Sequence, residues 1–437
     1  MSILIQVLPV VLFLLALFKN EYAAIMFLIL TYFFFPFLML LFFNSASERV
    51  YLPINIMLMT AFLNRVIKRG MVRRDELLLV LYIFGFLLVV GISSLHTGQS
   101  PLPNMYFFRN MFFNLFFLPL IMDLEKPQAQ RVLKILLAVI TFQAVLCFIQ
   151  YQSPFVSKIF TIETIERDGL AERRLDYGME GANLVTGTLL SMANVASVLT
   201  IFVLFIIVTI NRVKVRQYLF LTILGLSAIV LTGVRSPLAA LLLVLVFLLA
   251  KRKPILTICI GVGMVFLYGF FSEEITVLSQ LASSRAFGFE NPIFRMAGLL
   301  TVFEQSDSSG LLTFGRTIDL VNQYQLLTPF GNSTNLLIGD YDSPTDAFFV
   351  LMMIDYGWVI VVLLLLPYIY LLIKVRASCP KNIFSFGALG LLLLLIQTIV
   401  DEGLWYNVAN FVFVLILGLQ IAINKNDEHS HTGLRIG

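Results

Sequence analysis

Apolar runs about as long as a bilayer is thick recur along the whole chain, and they limit the possible folds before any motif is considered. Residues 23–43, 77–90 and 388–400 are nearly free of charge and are bounded by charged residues or by Gly and Pro. A bilayer span needs about 20 mostly apolar residues, a length that tilt and snorkelling stretch or shorten. Composition closes the soluble alternative. Of 437 residues 59% are apolar and 13% charged, against roughly 45–50% and about 25% in average usage. The first run, residues 3–18, has no positive residue before it and no small-residue cleavage site after it, so it reads as a span and not a secretory signal.

Spans are expected at 2–18, 22–43, 51–67, 76–93, 105–122, 131–151, 185–210, 217–233, 236–250, 254–271, 346–373, 383–400 and 405–423. The fold class is therefore an all-α polytopic integral membrane protein with about 12–14 transmembrane helices. Residues 1–437 form a single transmembrane domain. The connections 65–75, 123–134, 211–216, 251–253 and 374–382 are all basic and fall on every second turn of the chain. The positive-inside rule assigns them to the cytoplasm. Two long connections, 152–184 and 272–345, then face the opposite side and are the places where soluble chemistry has room.

One arginine stands apart. In "LTGVRSPLAALLL" (231–243), Arg235 interrupts two apolar runs at a tight outer junction. A guanidinium is always charged and brings five donors, so it needs an anion or water. Further arginines lie in the long connections: Arg173 and Arg174 in the first, Arg295 and Arg316 in the second. Asn291 and Pro292 cap an expected surface helix ahead of Arg295. The stretch 315–327 reads as a second such helix, with Arg316 one step from Asp319, where a simple ion pair is the competing reading. Tyr341, Asp342 and Asp346 precede the late span, and Asp346 serves either as a site carboxylate or as a helix-terminal acid favoured by the dipole.

Other chemistries lack their residues. Histidines occur only at 96, 429 and 431, and cysteines only at 147, 259 and 379, which forms neither a metal spacing nor a disulfide framework. No nucleophile elbow, zinc motif, phosphate loop or dinucleotide fingerprint is present, so no metal or cofactor is expected and nucleotide hydrolysis has no equipment. Nothing in the charge pattern suits nucleic acid. Arginine forks suit phosphate and diphosphate, and a membrane setting suits a lipid that carries one.

Four stretches resemble the O-antigen polymerase family, relatives of the O-antigen ligases. They are "GANLVTGTLLSMANVAS" (181–197) after the first arginine-bearing loop, "LTGVRSPLAALL" (231–242), "SGLLTFGRTIDLVNQY" (309–324) and "LLIGDYDSPTDAFFVLMMIDYGWVIVVLLLL" (336–366). Ligases of that group usually carry a histidine where Asp346 stands here, which favours polymerase. The resemblance implies a GT-C-like architecture in a bacterial inner membrane, with an active site facing the periplasm. It implies a metal-independent inverting glycosyltransferase that moves a growing glycan from undecaprenyl diphosphate to a lipid-linked repeat unit. Asp346, Arg235 and Arg316 would be catalytic, and Arg173, Arg174, Arg295, Asp319, Tyr341 and Asp342 would bind substrate. The partners implied are the lipid-linked oligosaccharide, membrane lipid and a chain-length regulator protein. A ligase using lipid A core as acceptor is the alternative, as is a flippase or exporter. A flippase should carry charge inside many spans and show an internal repeat. Only Arg109 lies clearly within a span, and no repeat is evident.

Overall fold

The computed structural model describes residues 2–43, 51–71, 73–98, 115–160, 164–167, 170–173, 185–189, 191–209, 215–255, 328–330, 356–400 and 407–432. In chain order the helices are α1 (Ser2–Lys19), α2 (Glu21–Phe43), α3 (Tyr51–Arg69), α4 (Arg74–His96), α5 (Phe117–Met122), α6 (Lys126–Gln152) and α7 (Pro154–Ile159). After a β-hairpin come α8 (Met192–Thr209), α9 (Val215–Thr232), α10 (Arg235–Arg252), α11 (Trp358–Ser378), α12 (Lys381–Val400) and α13 (Asn407–Thr432). The protein is a helical, membrane-embedded one. Five helices among the described residues are long and apolar enough to cross a bilayer, and several shorter apolar helices accompany them.

Helices are the form such sequences must take, because in hydrocarbon each segment has to satisfy its own backbone groups. Their ends are marked by charge. Glu76 accepts the backbone N–H of Arg73 at 2.8 Å to open α4, and Pro127 sits in the first turn of α6, where a missing N–H costs nothing.

Helices α8 and α13 form the centre. Residues 195–206 and 408–422 are buried almost without a break, and α8 packs against α6, α9, α10, α12 and α13. Close approach depends on small residues. A side chain at Gly390 would come within 2.5 Å of Phe413 and one at Gly225 within 2.6 Å of Val203. Tyr32 stacks on Phe411 at 3.9 Å, tying α2 to α13.

The charged connections converge on one end of the bundle. Arg65 reaches Asp123 at 2.7 Å and Glu21 at 3.2 Å, Arg69 reaches Glu76 at 2.8 Å, and Arg73 reaches Asp123 at 2.5 Å. Lys374 pairs with Asp75, and Asn424 meets Cys379. These contacts bring the ends of α2, α3, α4, α5, α11 and α13 to one level, called the basic end below. Three of the five basic connections read from the sequence, 65–75, 123–134 and 374–382, thus meet at one end. Its opposite, the far end, carries the α9–α10 turn, the C-terminal ends of α4 and α6, and residues 328–330.

Two expected spans are not continuous. The stretch 185–210 begins with a buried 3-10 turn at Gly187–Leu189, and helix starts only at Met192. The stretch 346–373 is broken at Gly357, whose φ of 86° lies outside the helical region, and α11 starts at Trp358. The expected single helix is therefore corrected to one interrupted at Gly357, while residues 346–355 lie outside the described ones. The first long connection also holds structure that was not expected from the sequence. Thr164–Arg167 pairs antiparallel with Leu170–Arg173, and the residues joining them are Asp168 and Gly169, a sequence that favours two-residue hairpin turns.

Candidate functional site at the far end

The turn that carries Arg235 is built from two residues. Gly233 takes φ 73°, its N–H donates to Val230 O at 3.1 Å, and Thr232 Oγ1 accepts the N–H of Val234 at 3.3 Å. Thr232 itself is buried and its hydroxyl donates to Ile229 O at 2.6 Å. Only glycine relieves the left-handed strain at 233. Val234 caps α10 in extended conformation, so Arg235 is the first residue of that helix, with Pro237 in the same turn. A helix N-terminus presents unpaired N–H groups and the positive end of the peptide dipole, which favours an anion. An arginine as the first residue of a helix runs against that preference. Local rules are broken at functional sites more often than elsewhere.

A second far-end feature is a cradle for irregular backbone. Gln150 Oε1 accepts the N–H groups of Thr186 at 3.0 Å and Gly187 at 2.9 Å, and Gln143 Oε1 accepts that of Thr188 at 3.0 Å. Gln143 Nε2 donates to Thr188 Oγ1 at 2.6 Å, and Thr188 in turn donates to Phe33 O at 2.7 Å. All three glutamine-bound residues are buried, where an unpaired N–H would cost about 1–3 kcal/mol. Gly187 has φ 56°, and a Cβ there would lie 2.6 Å from Gln143 Oε1. The glycine in "LVTGTLL" is thus fixed both by its conformation and by its neighbours. This cradle locks the exit of the first long connection onto α2 and α6.

Residues 328–330 of the second long connection are anchored to α4. Ser93 Oγ donates to Phe330 O at 2.7 Å, and Trp358 N–H donates to Thr328 O at 3.3 Å. The His96 and Phe330 rings lie 6.5 Å apart, edge to face. Residues 185–189, just after the first long connection, are thus tied to α6, and residues 328–330 of the second to α4.

Of the residues singled out from sequence, two have described backbone. Arg235 heads α10, and Arg173 ends β2 opposite Thr164. Arg174, Arg295, Arg316, Asp319, Tyr341, Asp342 and Asp346 lie outside the described residues. Sequence reading missed Gln143 and Gln150. Their signal was there, since two glutamines seven residues apart in the mostly apolar second half of the helix share one face. Among the described residues no cluster of His, Cys, Asp and Glu could hold a metal ion. Comparison with protein-family models, curated proteins and solved structures found no match.

Proposed function

We propose that the protein is a surface-polysaccharide polymerase of the bacterial inner membrane, working at the periplasmic face. A hydroxyl of the acceptor sugar attacks the anomeric carbon of a glycan held on undecaprenyl diphosphate. The carbon–oxygen bond to the diphosphate breaks, its electron pair leaves with that oxygen, and the configuration inverts. Asp346 takes the hydroxyl proton. Energy comes from the glycosyl–diphosphate bond, so charge stabilisation on the leaving group is the main catalytic task. Arg235 and Arg316 supply it, with Arg173 or Arg174 completing the clamp. Arg295, Asp319, Tyr341 and Asp342 hold the sugars and diphosphate, and a separate protein sets chain length.

The observation that carries this reading is the place of Arg235. It is the first residue of a membrane helix, on a two-residue turn, at the end opposite the basic connections. An arginine at the start of a helix, where the peptide dipole favours anions, suits a diphosphate leaving group, and the four matched stretches stand in the order the resemblance requires.

The test is incubation of the purified protein with a lipid-linked repeat unit, alone and then with lipid A core. A ladder of products without core supports polymerase. Transfer only when core is present replaces it with ligase, and no transfer in either mixture rejects the enzyme reading.

A further inference from the structure

A cavity of about 500 Å³ opens at the basic end between α4, α5 and α11, with Ile421 of α13 at its base. That volume is within the roughly 300–1,000 Å³ of ligand sites. Its walls are apolar, formed by residues such as Leu79, Leu118, Leu366 and Leu371. The charged lining residues are Arg73, Lys374, Asp75, Asp123 and the buried Glu76. The three carboxylates are paired, Asp123 with Arg73, Asp75 with Lys374 and Glu76 with Arg69. From Lys374 to Leu366 the walls run about 12 Å along a helix, at 1.5 Å per residue. The shape is that of an apolar slot under a charged rim.

The rim cations are held in place yet keep capacity. Arg73 uses Nη1 on both oxygens of Asp123, at 2.5 and 2.6 Å, while its side chain is 47% exposed. A guanidinium has five donors, so the fork retains N–H groups for a second anion. Lys374 is fixed by Asp75 and lies 5.3 Å from the centre of the Tyr370 ring. Arg74 and Arg376, next to the rim in sequence, are exposed as well. Basic pockets between membrane helices on the basic side are suited to anionic lipid headgroups.

We infer that this cavity is a binding site for an anionic glycerophospholipid. One acyl chain fills the slot between Leu79, Leu118 and Leu366, and the phosphate meets Arg73 and Lys374 at the mouth. The site lies at the end opposite Arg235, so it stands or falls independently of the polymerase reading. Its occupant would brace α4 against α11, which is the helix that carries the second long connection back into the bundle.

The experiment is native mass spectrometry of the purified full chain in nonionic detergent, titrated with phosphatidylglycerol or with phosphatidylcholine of the same acyl chains. The expected result is one saturable phosphatidylglycerol, retained at least about tenfold more tightly than phosphatidylcholine. Lys374→Gln should reduce that preference about fivefold, the effect of one cation near a membrane surface. Leu79→Phe narrows the slot without touching an ion pair, and should weaken retention of phosphatidylglycerol while leaving the gel-filtration profile unchanged. Equal retention of both lipids by the wild-type protein would overturn the site. So would binding that rises without saturating, or undiminished retention in Leu79→Phe.

Discussion

Arg235 is the first residue of α10, at the helix end where the peptide dipole favours anions, and that backbone position makes it the most informative residue of the far end. If its fork grips a diphosphate through two parallel hydrogen bonds, lysine cannot replace it, because an ammonium is a point charge. Arg235→Lys should therefore lower polymer formation at least about a hundredfold, the scale seen when one donor to a developing anion is removed. Membrane level should be normal, and polymer ladders resolved on gels are the readout. Full-length ladders from the lysine variant would reduce Arg235 to a loop anchor. Gln150 poses a different question, since its Oε1 accepts two backbone N–H groups in a buried place. Gln150→Leu leaves both donors unpaired and should destabilise the protein by about 2–4 kcal/mol. The loss is measured as earlier aggregation on heating in detergent, followed by gel filtration. An unchanged heating profile would mean that water replaces the glutamine at no cost.

At the scale of elements, packing is governed by where backbones approach most closely. Helices α12 and α13 meet where Gly390 faces Phe413, at 2.5 Å from the position of an added Cβ. The neighbour in the way is a ring that itself packs against Phe386 at 6.0 Å, so it has little freedom to give way. Gly390→Val should cost about 1–3 kcal/mol by overpacking. Gly85, on the open face of α4, has nothing within 4 Å and is the control, where Gly85→Ala should be neutral or slightly stabilising. Comparing the heating midpoints of the two variants checks the pair. Equal midpoints would mean that α12 and α13 slide apart without penalty.

For the whole molecule, the contacts at the basic end tie the ends of six helices to one level. Arg65 and Arg73 share Asp123, and Lys374 of α11 pairs with Asp75 of α4. If that end faces the cytoplasm, reporter fusions after Lys253 and Lys381 should read cytoplasmic, and fusions within the second long connection should read periplasmic. A cytoplasmic signal from that connection would remove the proposed active site along with the orientation. The anionic lipid slot would then lie in the other leaflet, with its chemistry intact.

The sequence alone determined what depends on local composition. Apolar runs of bilayer length required helices, because hydrocarbon offers backbone groups no other partner. Charge on alternate connections separated the two ends, because the cost of moving Lys and Arg into lipid acts on each turn separately. The tight turn before Arg235 was also legible, since Gly233, Ser236 and Pro237 announce a break between two runs. What the tertiary structure decided depends on partners far apart in the chain. Gly187 appeared to belong to a span, yet Gln143 and Gln150, 44 and 37 residues earlier, satisfy its surroundings and hold a non-helical turn there. Gly357 lay within an apolar run, and its break is held by Thr328 and Ser93 from two other segments. The lipid slot has no sequence signature, because its walls come from helices separated by hundreds of residues. Hydropathy is a sum over neighbours in the chain, whereas irregular buried backbone and cavities are set by neighbours in space.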